Sequence, residues 1–242
     1  MVRGLQAQLS YTWSKTIAEG DGVLGRFFDR ESRTGAGVVQ DPDNFRGDRS
    51  LAQTDFRHVA SVNFTYELPL GRGLTGAAGT ILSGWSLNSI LTTTTGNPLS
   101  LLLGFDRTNS RVRGGGLADR PDLKPGASNS PVLGGPDRYY DASQFALPPL
   151  GYFGNLGRNT LVGPGMATLD FSLAKNTSLR FLSESARLQF RAEFFNFLNR
   201  ANFALPYNRP ILSSGAVAAR AGTIDRTVTT SRQIQFALKL TF

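Results

Sequence analysis

One histidine, one glycine motif and one acidic cluster are the residues whose types and spacing offer chemistry. His58 stands in "DFRHVASVNFTYEL" and is the only histidine. A histidine base needs a nucleophile within hydrogen-bond reach and a third group to orient it. No residue pattern brings a Ser and an acid to His58, which by strand parity shares a face with Ala60 and Val62. An interfacial polar residue is the simpler reading. "GRGLTG" sets Gly71, Gly73 and Gly76 in G-x-G-x-x-G spacing. A dinucleotide site needs a helix opening at the third glycine, whose N-terminus meets the pyrophosphate. "AAGTILSGW" leaves few helical residues before Gly84, so a flexible turn is expected there. "DPDNFRGD" offers Asp41, Asp43, Asn44 and Asp48 as oxygen ligands. A calcium loop would want a ligand where Phe45 stands and a sharp-turn glycine where Arg46 stands. A solvated external loop, with Asp and Arg paired across it, is expected instead. No catalytic residue, cofactor or metal follows from these motifs.

Composition narrows the classes further. The chain has 242 residues and no Cys, which excludes a disulfide scaffold and any thiol-based metal or redox site. The formal charge is +8, yet the Arg residues are scattered among Asp and form no stripe. Nucleic acid is therefore not an expected partner, because clustering carries that signal. No stretch approaches the ~20 apolar residues of a membrane helix. Met1 leads directly into "VRGLQAQLSYTW", which is no signal peptide. An export signal is expected upstream, on a longer protein.

The elements that must position these residues are strands. "GLQAQLSYTW" puts Leu5, Ala7, Leu9, Tyr11 and Trp13 on one face and Gln6, Gln8, Ser10 and Thr12 on the other. "HVASVNFTYEL", "GWSLNSILTTTT", "ATLDFSLAKN", "ARLQFRAEFFNF" and "RQIQFALKLTF" alternate in the same way, with Ile90 the one blemish in the third. Period-two alternation marks a strand with one apolar face. Each segment runs about ten residues, the length that crosses a bilayer when tilted, against about five or six in ordinary strands. The apolar faces carry aromatics near their ends, at Tyr11, Trp13, Tyr66, Trp85 and Phe242, which suit the girdles of a membrane barrel. The polar faces hold Arg187, Arg191 and Glu193, placed by parity toward a wet lumen, where charge pairing across neighbouring strands is expected.

The connections alternate long, short, long, short, long. The long ones run about Ser14 to Asp55, Gly104 to Gly165 and Asn199 to Ser231. Outer-membrane barrels put long loops outside and short turns on the periplasmic side. A compact soluble domain seldom carries long structureless loops. A soluble antiparallel sandwich explains the alternation but not the strand length, loop asymmetry or aromatic ends. The fold class expected is all-β: an antiparallel transmembrane barrel segment of about six or more strands. It is an incomplete barrel, since single-chain bacterial barrels begin at about eight strands. External arginines such as Arg107, Arg111 and Arg113 offer cations to anionic lipopolysaccharide.

Three stretches carry a family resemblance: "RNTLVGPGMATLDFSLAKN", "RLQFRAEFFNFLNRANF" and the closing "RQIQFALKLTF". "DPDNFRGDRSLAQTDFRHVASVNFTYELP" and "GWSLNSILTTTTGNPLSL" add to it. Together they resemble the C-terminal barrel of TonB-dependent receptors, most closely the Oar-like group with a carboxypeptidase-regulatory-like domain. Arg200 departs from the pattern, where relatives often carry His. The resemblance implies that residues 1–242 are the C-terminal portion of a receptor barrel, a fragment whose plug and N-terminal domains lie elsewhere. It implies a cell outer membrane location, no enzyme activity, and import of an unidentified ligand energised indirectly through TonB. Its implied partners are outer-membrane lipid and lipopolysaccharide, the remaining strands and plug, and the outer-membrane assembly machinery. Ile234, Phe236, Leu238, Leu240 and Phe242 then resemble the signal that machinery recognises. An adhesive or structural barrel without transport is the alternative expectation, and an outer-membrane hydrolase relying on His58 is a third.

Overall fold

Alternation leaves each segment one dry face and one wet face, and only pairing with neighbours satisfies its backbone N–H and C=O groups. The computed structural model describes residues 4–19, 39–41, 43–109 and 119–242. Among them are six long strands: β1 (Leu5–Trp13), β2 (His58–Glu67), β3 (Trp85–Thr94), β4 (Met166–Ser178), β5 (Arg187–Phe195) and β6 (Gln233–Thr241). Each pairs antiparallel with the next in chain order, giving one meandering sheet.

The register keeps the two faces separate across the whole sheet. One cross-strand row reads Ala7, Phe64, Ser89, Phe171, Phe194, Ile234. The adjacent row, on the opposite face, reads Gln6, Thr65, Asn88, Ser172, Glu193, Gln235. A one-residue slip anywhere would mix them. Polar residues on the apolar face include His58, Ser89 and Lys175, and Ile90 is an apolar residue on the polar face. Ser89 sits on the apolar face, buried, with its hydroxyl donating to the Asp170 carbonyl at 3.0 Å. Ile90 sits on the polar face between Asn63 and Asp170.

The sheet is open. β1 and β6 each pair on one side only, and every residue of both is exposed. All long connections leave one end of the sheet, from the Trp13/His58, Thr94/Met166 and Phe195/Gln233 pairs. The short ones, residues 68–84 and 179–186, close the other end.

One expectation is refined here and one overturned. The motif turns at residues 70–73 as expected, but the segment after it is not turn throughout: it holds a seven-residue helix, α1 (Gly76–Leu82), opening at the third glycine of the motif. It lies between antiparallel strands, so it still lacks the parallel βαβ frame of a dinucleotide site. Nor are the long loops structureless. The buried apolar cluster among the described residues, with Leu99, Leu101, Tyr140, Phe145, Leu161 and Ile211 at its heart, lies wholly within residues 95–165 and 196–232. The sheet has little to bury, its outer strands being exposed throughout, and the loops have built a core of their own.

Candidate functional site

The loop layer begins with polar groups that two connections share. Residues 39–57, the 95–165 loop and Ala18, just after β1, meet around Asp48. Asn44 caps the 3-10 turn Phe45–Asp48 through its side-chain oxygen, which turns Asp48 inward. The Asp48 carboxylate is 1% exposed and forms an ion pair with Arg120, itself 5% exposed. Its second oxygen accepts the Gln40 N–H at 2.8 Å. Gln40 accepts the Arg120 N–H at 2.9 Å and donates to the Gly154 carbonyl at 3.0 Å. Arg158 donates to the Asp48 carbonyl at 2.9 Å and to the Ala18 carbonyl at 2.6 Å. A buried charge persists when it is paired or hydrogen-bonded: Asp48 and Arg120 pair with each other, and Arg158 donates to backbone carbonyls.

The 196–232 loop joins by a second network. Asn208 donates to the Ser100 carbonyl, and Ser100 donates to Asn159 at 2.8 Å. Tyr140 is fully buried and donates to the Tyr207 carbonyl at 2.8 Å. Burial pushes its phenol well above the ordinary tyrosine range. The neighbouring Tyr139 phenol, donating to the Val162 carbonyl, is raised by the same cause. Asp141 goes the other way: hydrogen bonds from Gln144 and Ser143, with Arg138 beside it, hold its carboxyl well below the usual range.

Where this layer meets the sheet it leaves a cleft of about 540 Å³. Its walls include Phe56, Met166, Phe203, Leu205 and Val228, with Asn97, Arg226 and the threonines Thr94, Thr95 and Thr227 as polar groups among them. Thr94 and Met166 line it and are a register pair on the polar face, so the cleft adjoins the loop end of that face. Apolar walls with a few polar groups, at this volume, suit a small amphiphilic molecule. Sequence reasoning passed over these residues because they lie in loops without a period. The run Leu101–Leu102–Leu103 was the visible signal that the loops hold a core.

The residues singled out from the sequence fall as follows. Tyr11 and Trp13 stand at the loop end of the apolar face, Tyr66 and Trp85 at the turn end. Ile234, Phe236, Leu238 and Leu240 share that face, and Phe242 ends the chain at the turn end, 78% exposed. Arg187, Arg191 and Glu193 lie on the polar face, opposite Ser178, Ala174 and Ser172. Charge pairing there does not cross strands: Arg191 pairs with Glu193 two residues along β5, at 3.2 Å, and also donates to Gln189. A period of two places such neighbours on one face within reach of each other.

His58 lies opposite Trp13 on the apolar face and shares a hydrogen bond with the Tyr11 hydroxyl at 2.8 Å. The acidic cluster does not converge. Asp41 accepts the Asp43 N–H, Asn44 caps its turn, and Asp48 is turned away to Arg120. The Asp–Arg pairing expected there exists, but it is buried and joins two loops. Arg107 is tied to the Pro148 carbonyl at 2.8 Å. Arg111 and Arg113 lie outside the described residues.

Comparison with known proteins agrees with this architecture. No curated protein and no solved structure matches the chain. The family model described as outer membrane beta barrel domain matches residues 1–235. Long antiparallel strands, a continuous apolar face and loops gathered at one end are what that family requires, and the chain belongs to the outer membrane beta barrel domain family, in the bacterial outer membrane.

Proposed function

We propose that residues 1–242 form the C-terminal wall and external loops of a TonB-dependent receptor of the Oar-like type, which imports a small ligand. One observation carries this reading beyond the family. The polar face of an open, unclosed sheet is roofed at its outer end by a packed loop layer containing a ligand-sized cleft. A wall that must line a substrate path has use for such a roof. An open edge in lipid costs several kcal/mol for each unpaired backbone group, which favours further strands from the same protein. The plug and the TonB-contacting segment belong to the rest of that protein. The proposed role includes no catalysis.

Phe242 and the apolar residues of β6 serve in this reading as the assembly signal, and Tyr11, Trp13, Tyr66 and Trp85 as interfacial girdles. A second reading, adhesion without transport, draws on the same loop layer, because a rigid external surface also suits a binding face.

Fractionation of the native organism tests the first reading. An antibody raised against β5 and β6 should detect an outer-membrane band far above 26.2 kDa. TonB should retain that band in a pull-down. A band at 26.2 kDa that TonB does not retain would exclude the transporter and leave the adhesive barrel.

A further inference from the structure

The short connection of residues 68–84 is built in a way its length does not require. Helix α1 contains no charged residue, in the sequence "GAAGTIL". Seven residues are too few for an isolated helix to persist in water. Its side chains do not bury themselves against the protein either. Ile81 is 63% exposed, and Leu82, Leu74 and Leu70 are also exposed. In a water-soluble setting this is an unexplained apolar patch.

The sheet side supplies the helix's fastening. Lys175 lies on the apolar face, in register with Trp85 on one side and Phe190 on the other. Its ammonium donates to the carbonyls of Thr80 and Ser83 at the end of α1 and lies 5.7 Å from the Trp85 ring centroid. A cation at a helix C-terminus satisfies carbonyls that have no partner within the helix. The Trp85 indole N–H donates to the Ile81 carbonyl at 3.0 Å. Both fastening groups belong to the apolar face of the sheet. The helix is therefore held on the same side as the lipid-facing surface, at the turn end, where a lysine and a tryptophan suit the membrane–water boundary.

We propose that α1 is a lipid anchor: it lies in the headgroup–acyl boundary of the periplasmic leaflet, continuous with the lipid-facing side of the sheet, with Ile81 and Leu82 entering the acyl region and Lys175 as its latch. The occupant is lipid, because the helix is apolar and uncharged, with the nearest charge of its own connection, Arg72, before it, and because it adjoins the lipid-facing side of the sheet. The inference uses the barrel and its orientation. It does not depend on whether the protein transports.

The full-length protein in outer-membrane vesicles tests it. The 242 residues contain no Cys, so Ile81→Cys introduces the single thiol of this region for a nitroxide label. Labels at Leu9→Cys, on the apolar face, and at Gln8→Cys, on the polar face, calibrate lipid and water. Collisional relaxation is then read with oxygen, which concentrates in lipid, and with a water-soluble nickel chelate. The label at position 81 should favour oxygen several-fold, approaching the Leu9 label. Lys175→Met should raise its mobility while leaving the Leu9 label unchanged. A label relaxed mainly by nickel would put the helix in periplasmic water and overturn the proposal. A label shielded from both reagents would put protein over it and overturn it equally.

Discussion

Asp48 and Arg120, 72 residues apart in sequence, form a buried ion pair that joins two external loops. The pair is held further by Gln40, whose N–H donates to Asp48, and by the Leu156 carbonyl, which accepts from Arg120. Removing one partner would leave the other charge buried alone, at a cost of about 3–5 kcal/mol. Asp48→Ala should therefore loosen the loop layer while the sheet, which shares no contact with the pair's chemistry, stays folded. Limited proteolysis of intact cells should cut the external loops of the variant and spare those of the parent. Asp48→Leu combined with Arg120→Met should restore much of the protection, since no charge is then stranded.

The two buried tyrosines make the same layer sensitive to alkali. Burial raises the phenols of Tyr139 and Tyr140, so folding favours their neutral form. Their contribution is fully present below the unfolded tyrosine value of about 10 and is lost as pH rises beyond it. The chain has six tyrosines. Phenolate absorbance should show Tyr139 and Tyr140 titrating late, together with loop unfolding. Tyr140→Phe keeps the ring and removes the hydroxyl, so it should leave one late phenol and cost about 1 kcal/mol through the lost bond to Tyr207.

Gly84 marks where the 68–84 connection enters β3. Its φ is +76°, and a Cβ there would run into the Asn176 carbonyl oxygen across the sheet. Gly84→Ala should cost more than ~1 kcal/mol, combining backbone strain with a steric collision. The temperature at which the folded band converts to the unfolded band in SDS gels should fall. Gly73→Ala, at φ +82° with open space around its Cβ, should fall less.

How much of this was visible in the sequence depended on periodicity. The six strands and both faces were legible because alternation is local and the register carries it from strand to strand, interrupted in the row from Ala7 to Ile234 by Ser89. Even the misfit at Ile90 stood out. The loop layer was not legible, because its contacts join residues far apart: Gln40 to Gly154, Ser100 to Asn208, Tyr140 to Tyr207. No repeat announces such pairs. Lys175 escaped notice for another reason. It occupies an apolar-face position by parity, and only its contacts with Thr80, Ser83 and Trp85 explain a charge there.

The terminal residue gives a prediction about assembly. Phe242→Ser removes the exposed aromatic at the turn end without touching a buried contact. If β6 carries the assembly signal, the variant should accumulate less in the outer membrane by several-fold, while the fraction that arrives keeps the parent's heat-modifiable migration. Unchanged accumulation would reduce Phe242 to a girdle residue.

The central claim is that this sheet is a barrel wall, with lipid on one face and water on the other. Single cysteines along β6, in the full protein in native membranes, test it most directly. A hydrophilic maleimide should label positions 235, 237 and 239, in place of Gln235, Ala237 and Lys239 on the polar face. Positions 234, 236 and 238, in place of Ile234, Phe236 and Leu238, should stay unlabelled until detergent is added. Labelling without a period of two, or with the two sets exchanged, would contradict the account.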